Sequence, residues 1–140
     1  VFGSGLHHLD MRTSISVYGA PEFQLARMAV ADLGRYYGLP TWGYAGHSDA
    51  CCFDQQAAAD AVLSTQVALQ SRTNLVHDVG YIESGLTGSF EMVVIGEEII
   101  SMVRRLLGGI EIRAAHQEHR LAIAGGHAAL RDEALSTASA

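Results

Sequence analysis

Within the stretch HDVGYIESGLTGSF, which runs from His77 to Phe90, four side chains with chemical capacity lie close together: His77, Asp78, Tyr81 and Glu83. An imidazole, two carboxylates and a phenol follow directly on the apolar pair Leu75-Val76. A plain surface turn needs no such mixture. A core would reject it, because burying unpaired charge is costly. Two other polar clusters also follow short apolar or aromatic runs: Asp10 and Arg12 in DMRT, and His47, Ser48 and Asp49 in HSD. Carboxylates of this kind can hold a cation, and Arg or His can orient an anionic group. The aromatic residues Tyr18, Trp42, Tyr44, Tyr81 and Phe90 lie near the same clusters. Rings beside carboxylates are what recognition of a quaternary ammonium requires, at about 0.5–2 kcal/mol per ring.

Each of these residues also has a structural reading. Asp10 and Arg12 can form an ion pair, His77 can be a hydrogen-bonded core histidine, Asp54 is a natural helix cap, and each ring taken singly fits ordinary packing. A metal-dependent hydrolase built on His47, His77 and the aspartates is an alternative. The ligand types suit zinc, but CxxC, HExxH and HxH spacings are absent from the sequence. A Ser-His-Asp hydrolase fits less well, since neither Ser48 nor Ser84 sits in a G-x-S-x-G elbow.

The clusters must be positioned by alternating elements. Pro21 and Glu22 mark a helix start, and Phe23, Ala26, Val30, Leu33 and Tyr37 fall on one face; Gly38 and Pro40 end it, which predicts a helix over 21–37. Thr41 to Gly46 reads as a short aromatic strand ending at His47. Asp54 caps a second helix reaching about Arg72, with Ala58, Val62, Thr65 and Leu69 aligned. Asn74 to His77 is the next strand. Ser89 caps a third helix carrying Phe90, Met92 and Val93, which Gly96 is expected to interrupt before Ile99, Met102, Val103 and Leu106 continue its stripe to Gly108. Polar tips near Arg12, His47 and Asp78 thus recur at the period of one strand–helix unit of an eight-fold barrel, roughly 30 residues. The predicted fold class is α/β, a partial TIM (β/α)8 barrel of about three to four βα units over residues 1–112. An alanine-rich helical or partly disordered tail follows over 113–140, and its His116, His119 and His127 read as a solvated face.

Composition narrows the partners. The net charge is −6 and all nine basic residues are arginine, so no basic stripe offers itself to nucleic acid. No apolar run approaches the ~20 residues of a membrane span, and no signal peptide is visible, so a soluble cytoplasmic protein is expected. Cys51 and Cys52 are adjacent and read as reduced thiols. Three or four units cannot close a barrel, so the chain is expected to pair its exposed edges in a homo-oligomer or with missing units. A non-catalytic, self-associating partial barrel is therefore a second reading.

The segments DMRT, YGAPE, RYYGLPTWGYAG, SDACCFDQQAA, NLVHDVGYIESGLTGSFEMVVI and EIISMVRRLLGGIEI, taken in order over residues 1–112, resemble the trimethylamine methyltransferase family, including its non-pyrrolysine members acting on glycine betaine and similar amines. The resemblance implies late strands of a TIM barrel about three times this length. It also implies transfer of a methyl group from a methylated or quaternary amine to the Co(I) of a corrinoid (cobalamin) carried by a separate partner protein, with no cofactor or metal bound directly. Founding members use pyrrolysine, and none appears here, which favours a quaternary amine over trimethylamine. On this reading His77, Asp78 and Glu83 are the expected catalytic residues. Asp10, Arg12, Tyr18, His47, Asp49 and Tyr81 are expected to bind substrate. One departure stands out: where relatives read S-D-x-K, this chain has Ser48, Asp49 and then Cys51, a lost positive charge that bears on how an anionic substrate group is held.

Overall fold

The computed structural model describes residues 1–3 and 5–111. These comprise a unit Val1–Gly108 and the first residues of a second, from Gly109 onward. The tail predicted over 113–140, with its three histidines, lies outside the described residues.

Three helices dominate. The first, α1 (Pro21–Tyr36), begins on a proline at its first turn and carries Glu22 there and Arg35 in its last turn, matching the helix dipole at both ends. Its buried face is Phe23, Gln24, Arg27, Val30, Ala31 and Gly34. This corrects the predicted face, because Leu33 and Tyr37 are exposed. The helix is rotated so that Gly34 receives the Thr41 methyl and the Arg27 guanidinium lies over aromatic rings. Helix α2 (Gln55–Gln70) is capped by Asp54, whose carboxylate accepts from the Ala57 N–H at 3.0 Å. It buries Ala57, Ala61, Ser64, Thr65, Val67 and Ala68; of the predicted stripe Thr65 is buried and Val62 and Leu69 pack against the core, while Ala58 is exposed.

Helix α3 (Phe90–Leu107) is capped by Ser89, which accepts from the Met92 N–H at 3.2 Å. It runs unbroken through Gly96, contrary to the predicted interruption. A side chain there would meet the Val79 Cγ1 atom at 2.6 Å, so the glycine permits close approach rather than ending the helix. Met92, Gly96, Ile99 and Val103 form its buried stripe, while Phe90, Val93, Met102 and Leu106 face outward. α2 and α3 enclose the core with Ala50, Ala57, Ala61, Ile82, Met92, Ile99 and Val103. No helix among the described residues is long and apolar enough to cross a membrane.

Parallel pairing organises the other layer. Strand β1 (Trp42–Tyr44) pairs with β2 (Leu75–His77) in the register Trp42 to Leu75, Gly43 to Val76 and Tyr44 to His77. On the other side of β1, Phe2 bridges Thr41 in parallel, donating to the Pro40 carbonyl at 2.7 Å and accepting from Trp42 at 3.0 Å. Side chains alternate faces along a strand. Ala45 and Val76 line a cavity with Thr65, Ala68 and Leu69 of α2. Trp42, Tyr44 and His77 therefore share the opposite face. A short hairpin, β3 (Tyr81–Ile82) and β4 (Thr87–Gly88), follows β2 and is antiparallel, an element the strand–helix reading did not anticipate. The predicted tip at Arg12 is likewise different: residues 10–15 form an exposed antiparallel turn closed by a Leu9–Ser16 bridge.

Candidate functional site

The C-terminal ends of β1 and β2 deliver two kinds of structure, an aromatic cluster and a carboxylate-bound junction of loops. Pairing places the Tyr44 and His77 rings with centroids 4.6 Å apart, and Trp42 stacks on His77 at 4.9 Å and 26°. His7 then bridges the cluster, lying 4.8 Å from Tyr18 and stacked on Phe23 at 4.9 Å. Most of the remaining ring contacts are edge-on, an arrangement favoured by aromatic quadrupoles. At the end of β2, His77 Nδ1 lies 2.5 Å from Asp78 Oδ1. Asp78 occupies the left-handed backbone region, with φ of 72°. An aspartate tolerates that conformation better than most residues.

Burial sets the charge states. His47 is 1% exposed, and neither of its ring nitrogens has a hydrogen-bond partner. Burial, reinforced by the nearby Arg27 charge, pushes its pKa down to about 4. It is neutral at pH 7. Burial also lowers the Arg27 guanidinium to about 10, which leaves it cationic. That guanidinium lies 5.6 Å from the Phe23 centroid and 5.3 Å from that of Tyr44, a cation–π placement. Burial raises both the Tyr18 and Tyr44 phenols, and the Asp78 carboxylate adds to the effect on each, so both rings stay neutral. Asp78 acts electrostatically on His7, Tyr18, Arg27, Tyr44 and His47. It is the carboxylate of the aromatic cluster.

Asp49 has a different setting. Its Oδ1 accepts from the Tyr18 N–H and the Ser84 hydroxyl, both at 2.8 Å, and Oδ2 accepts from the Gly19 N–H at 2.7 Å. One side chain thus ties together the loop before α1, the loop after β1 and the β3–β4 hairpin. Beside it the Ser48 hydroxyl donates to Asp60 of α2 at 2.7 Å and accepts from the Ala50 N–H at 2.9 Å. The backbone completes the junction, with the Ser48 N–H bonded to the Tyr81 carbonyl, and Glu83 and Ser84 bonded to Ala50 and Ser48. Glu83 and Ser84 are both left-handed, at φ of 51° and 54°. Such consecutive non-glycine conformations persist only where surrounding bonds enforce them.

The structure brings Tyr18, His47, His77 and Asp78 into or beside one cluster and attaches Asp49 to it through the Tyr18 backbone. It sets the other predicted residues apart. Glu83 accepts from the Thr87 hydroxyl within the hairpin. Tyr81 lines a separate groove with Val79, Gly88, Phe90 and Val93. Asp10 accepts from the Arg12 N–H at 3.0 Å and the Thr13 hydroxyl at 2.8 Å, closing its own turn and lowering its pKa. The bond reaches the Arg12 backbone, not the guanidinium ion pair considered from sequence. His7, Phe23, Arg27, Asp60 and Ser84 were missing from the sequence-derived set. Arg27 lies one helical turn beyond Phe23, which was a usable signal, whereas nothing local marks Ser84. Among the described residues no three His, Cys, Asp or Glu side chains converge on one point.

Comparison with known proteins now adds identity to this geometry. Residues 1–128 match the family described as Trimethylamine methyltransferase (MTTB). The match runs past Ile112, where the resemblance of individual segments fades. The chain is 34% identical over 111 residues to "Trimethylamine methyltransferase MttB" of Methanosarcina thermophila, covering 79% of this chain and 23% of that protein. It is 29% identical over 112 residues to the protein of the same name from Desulfitobacterium hafniense, covering 80% and 23%. It is also 34% identical over 114 residues to "Proline betaine:corrinoid methyltransferase" of Eubacterium limosum, covering 80% and 23%. The chain therefore spans about a quarter of the length of the curated relatives it matches. On a match that extends across most of its own length, this chain belongs to the trimethylamine methyltransferase family.

Proposed function

We propose that the protein containing these residues demethylates a quaternary amine of the betaine type, passing the methyl group to a corrinoid held by a cytoplasmic partner protein. The observation that carries this reading is the cluster of neutral rings, Trp42, Tyr44 and Tyr18, on the parallel strands, with the Asp78 carboxylate beside His77 acting on both phenols. The relative named for proline betaine and a corrinoid supports it. The residues described are taken as successive strand–helix units of a (β/α)8 barrel, in keeping with the parallel Phe2–Thr41 and β1–β2 pairings.

The corrinoid, when presented by its partner, supplies a Co(I) nucleophile able to accept a methyl cation. The C–N bond breaks with its electron pair left on nitrogen, so the amine departs neutral and no proton is required. The chain's task is to hold the cation and aim one methyl group, which is catalysis by positioning. In this proposal Asp78 faces the ammonium, His77 fixes the orientation of Asp78 through their 2.5 Å contact, and the Trp42 and Tyr44 rings form the wall behind them. His47, buried and neutral, packs behind the Tyr18 ring, while the turn carrying Asp10 and Arg12 and the hairpin carrying Tyr81 and Glu83 stand apart from the cluster. Asp49 positions Tyr18 instead of touching substrate.

Calorimetric titration of the full-length protein with glycine betaine and proline betaine tests the reading. Asp78→Asn, which a left-handed backbone tolerates, is expected to weaken quaternary-amine binding about tenfold, the loss of ~1.4 kcal/mol of attraction. Binding that is unchanged in Asp78→Asn, or confined to trimethylamine, would overturn it. For the isolated 140-residue chain, self-association is the second reading. The exposed Leu75 and Val76 on β2, together with Phe90, Val94, Met102 and Leu106 on α3, favour it. Sedimentation as a monomer would refute it.

A further inference from the structure

We propose that Cys51 and Cys52 are a reversible dithiol oxidation site, closing to a vicinal disulfide when the protein meets hydrogen peroxide. Both thiols are free and exposed. They lie on the irregular loop between Ala50 and the Asp54 cap of α2, outside every helix and strand of the fold. Adjacent α-carbons are held about 3.8 Å apart by the trans peptide. Ordinary disulfides separate them by roughly 4.4–6.8 Å, so a bond between neighbours closes a strained ring that reductants open readily. Strain of that kind suits a labile bond and not a structural staple.

The loop can accommodate the change. Among the described residues the Cys52 carbonyl accepts from the Asp54 N–H at 3.1 Å, and the Cys52 thiol donates to the Asp54 carboxylate at 3.8 Å, a long and weak contact. Neither contact belongs to a strand ladder. The chemistry balances without another cofactor. One thiolate attacks a peroxide oxygen, the O–O bond breaks and the sulfur becomes a sulfenic acid with release of water. The neighbouring thiol then displaces the second oxygen, also as water, and the S–S bond forms. Two thiols lose two hydrogens and two electrons to one peroxide. Ring closure would act on the junction nearby, because Cys51 stands two residues beyond Asp49 and next to Ala50, whose carbonyl accepts from the Glu83 N–H at 3.0 Å.

The test is peptide mass mapping of the full-length protein after graded peroxide, alkylation and trypsin digestion. The sequence offers no lysine, so cleavage at arginine gives one peptide, Tyr36–Arg72, containing both cysteines. The expected product is that peptide about 2 Da lighter, resistant to alkylation and restored by dithiothreitol. Cys51→Ser is expected to give oxygen adducts on Cys52 in place of the lost hydrogens. The proposal is overturned if the wild-type peptide remains fully alkylated, carries only oxygen adducts, or is cross-linked to a different peptide or a second copy.

Discussion

Replacing Asp49 by asparagine separates a positioning residue from a substrate ligand. The carboxylate receives the Tyr18 and Gly19 N–H groups and the Ser84 hydroxyl at 2.7–2.8 Å. An amide of the same shape offers one acceptor oxygen, and its NH2 group faces whichever donor the oxygen does not serve. Hydrogen bonds to charged groups contribute about 1.5–3 kcal/mol each, and a partly buried donor left facing another donor loses that and more. Partial access of water moderates the loss, so we expect the loop to be loosened by about 2–3 kcal/mol. At 1.4 kcal/mol per factor of ten, the Tyr18 and Gly19 amides should exchange with deuterium about 30- to 140-fold faster. The measurement uses the full-length protein without any amine present, so substrate binding cannot contribute. Unchanged exchange at these amides, together with weakened amine binding, would refute the junction role and restore Asp49 as a ligand.

His47 predicts a pH dependence. Its folded pKa of about 4 lies below the ordinary 6.5, so the unfolded chain takes up the proton first and stability falls as pH drops from about 6.5 toward 4. The total is about 3 kcal/mol, and His47→Phe should flatten that part of the curve in urea unfolding; a slope equal to wild type would show that other groups cause it. Gly96→Ala should lower the melting temperature despite the better helix propensity of alanine. Its new methyl lies 2.6 Å from Val79 Cγ1, and overpacking of about 1–3 kcal/mol outweighs a gain of about 1 kcal/mol. A raised melting temperature would mean that Val79 moves aside freely.

The helices were legible because their ends are written locally. Pro21, Asp54 and Ser89 each act through atoms within three residues, and the observed starts follow them. Helix faces were less legible. The phase of α1 depends on which neighbour it meets, and burial of Arg27 in place of Leu33 follows from the rings of Phe23 and Tyr44. The hairpin was hidden because its turn uses Glu83 and Ser84 in a conformation usually signalled by glycine, and contacts to Ser48 and Ala50 hold them there. Asp49 was legible as a residue of consequence, but its partners at Tyr18, Gly19 and Ser84 lie at least 30 positions away in sequence. Chemical type is local information; who receives the hydrogen bond is not.

The placement of Trp42 gives the site an optical readout. It is the single tryptophan of this sequence. One side of its indole lies against Gly3, where even a methyl group would overlap the ring, and His77 stacks on it at 4.9 Å. A stacked imidazole quenches indole emission by contact, so the emission intensity of Trp42 responds to the approach of His77 and to the dryness of its surroundings. The fluorophore thus touches both a neighbouring backbone and the imidazole at the end of β2. A change in its quantum yield therefore reports on the ends of the parallel strands themselves, with no label attached.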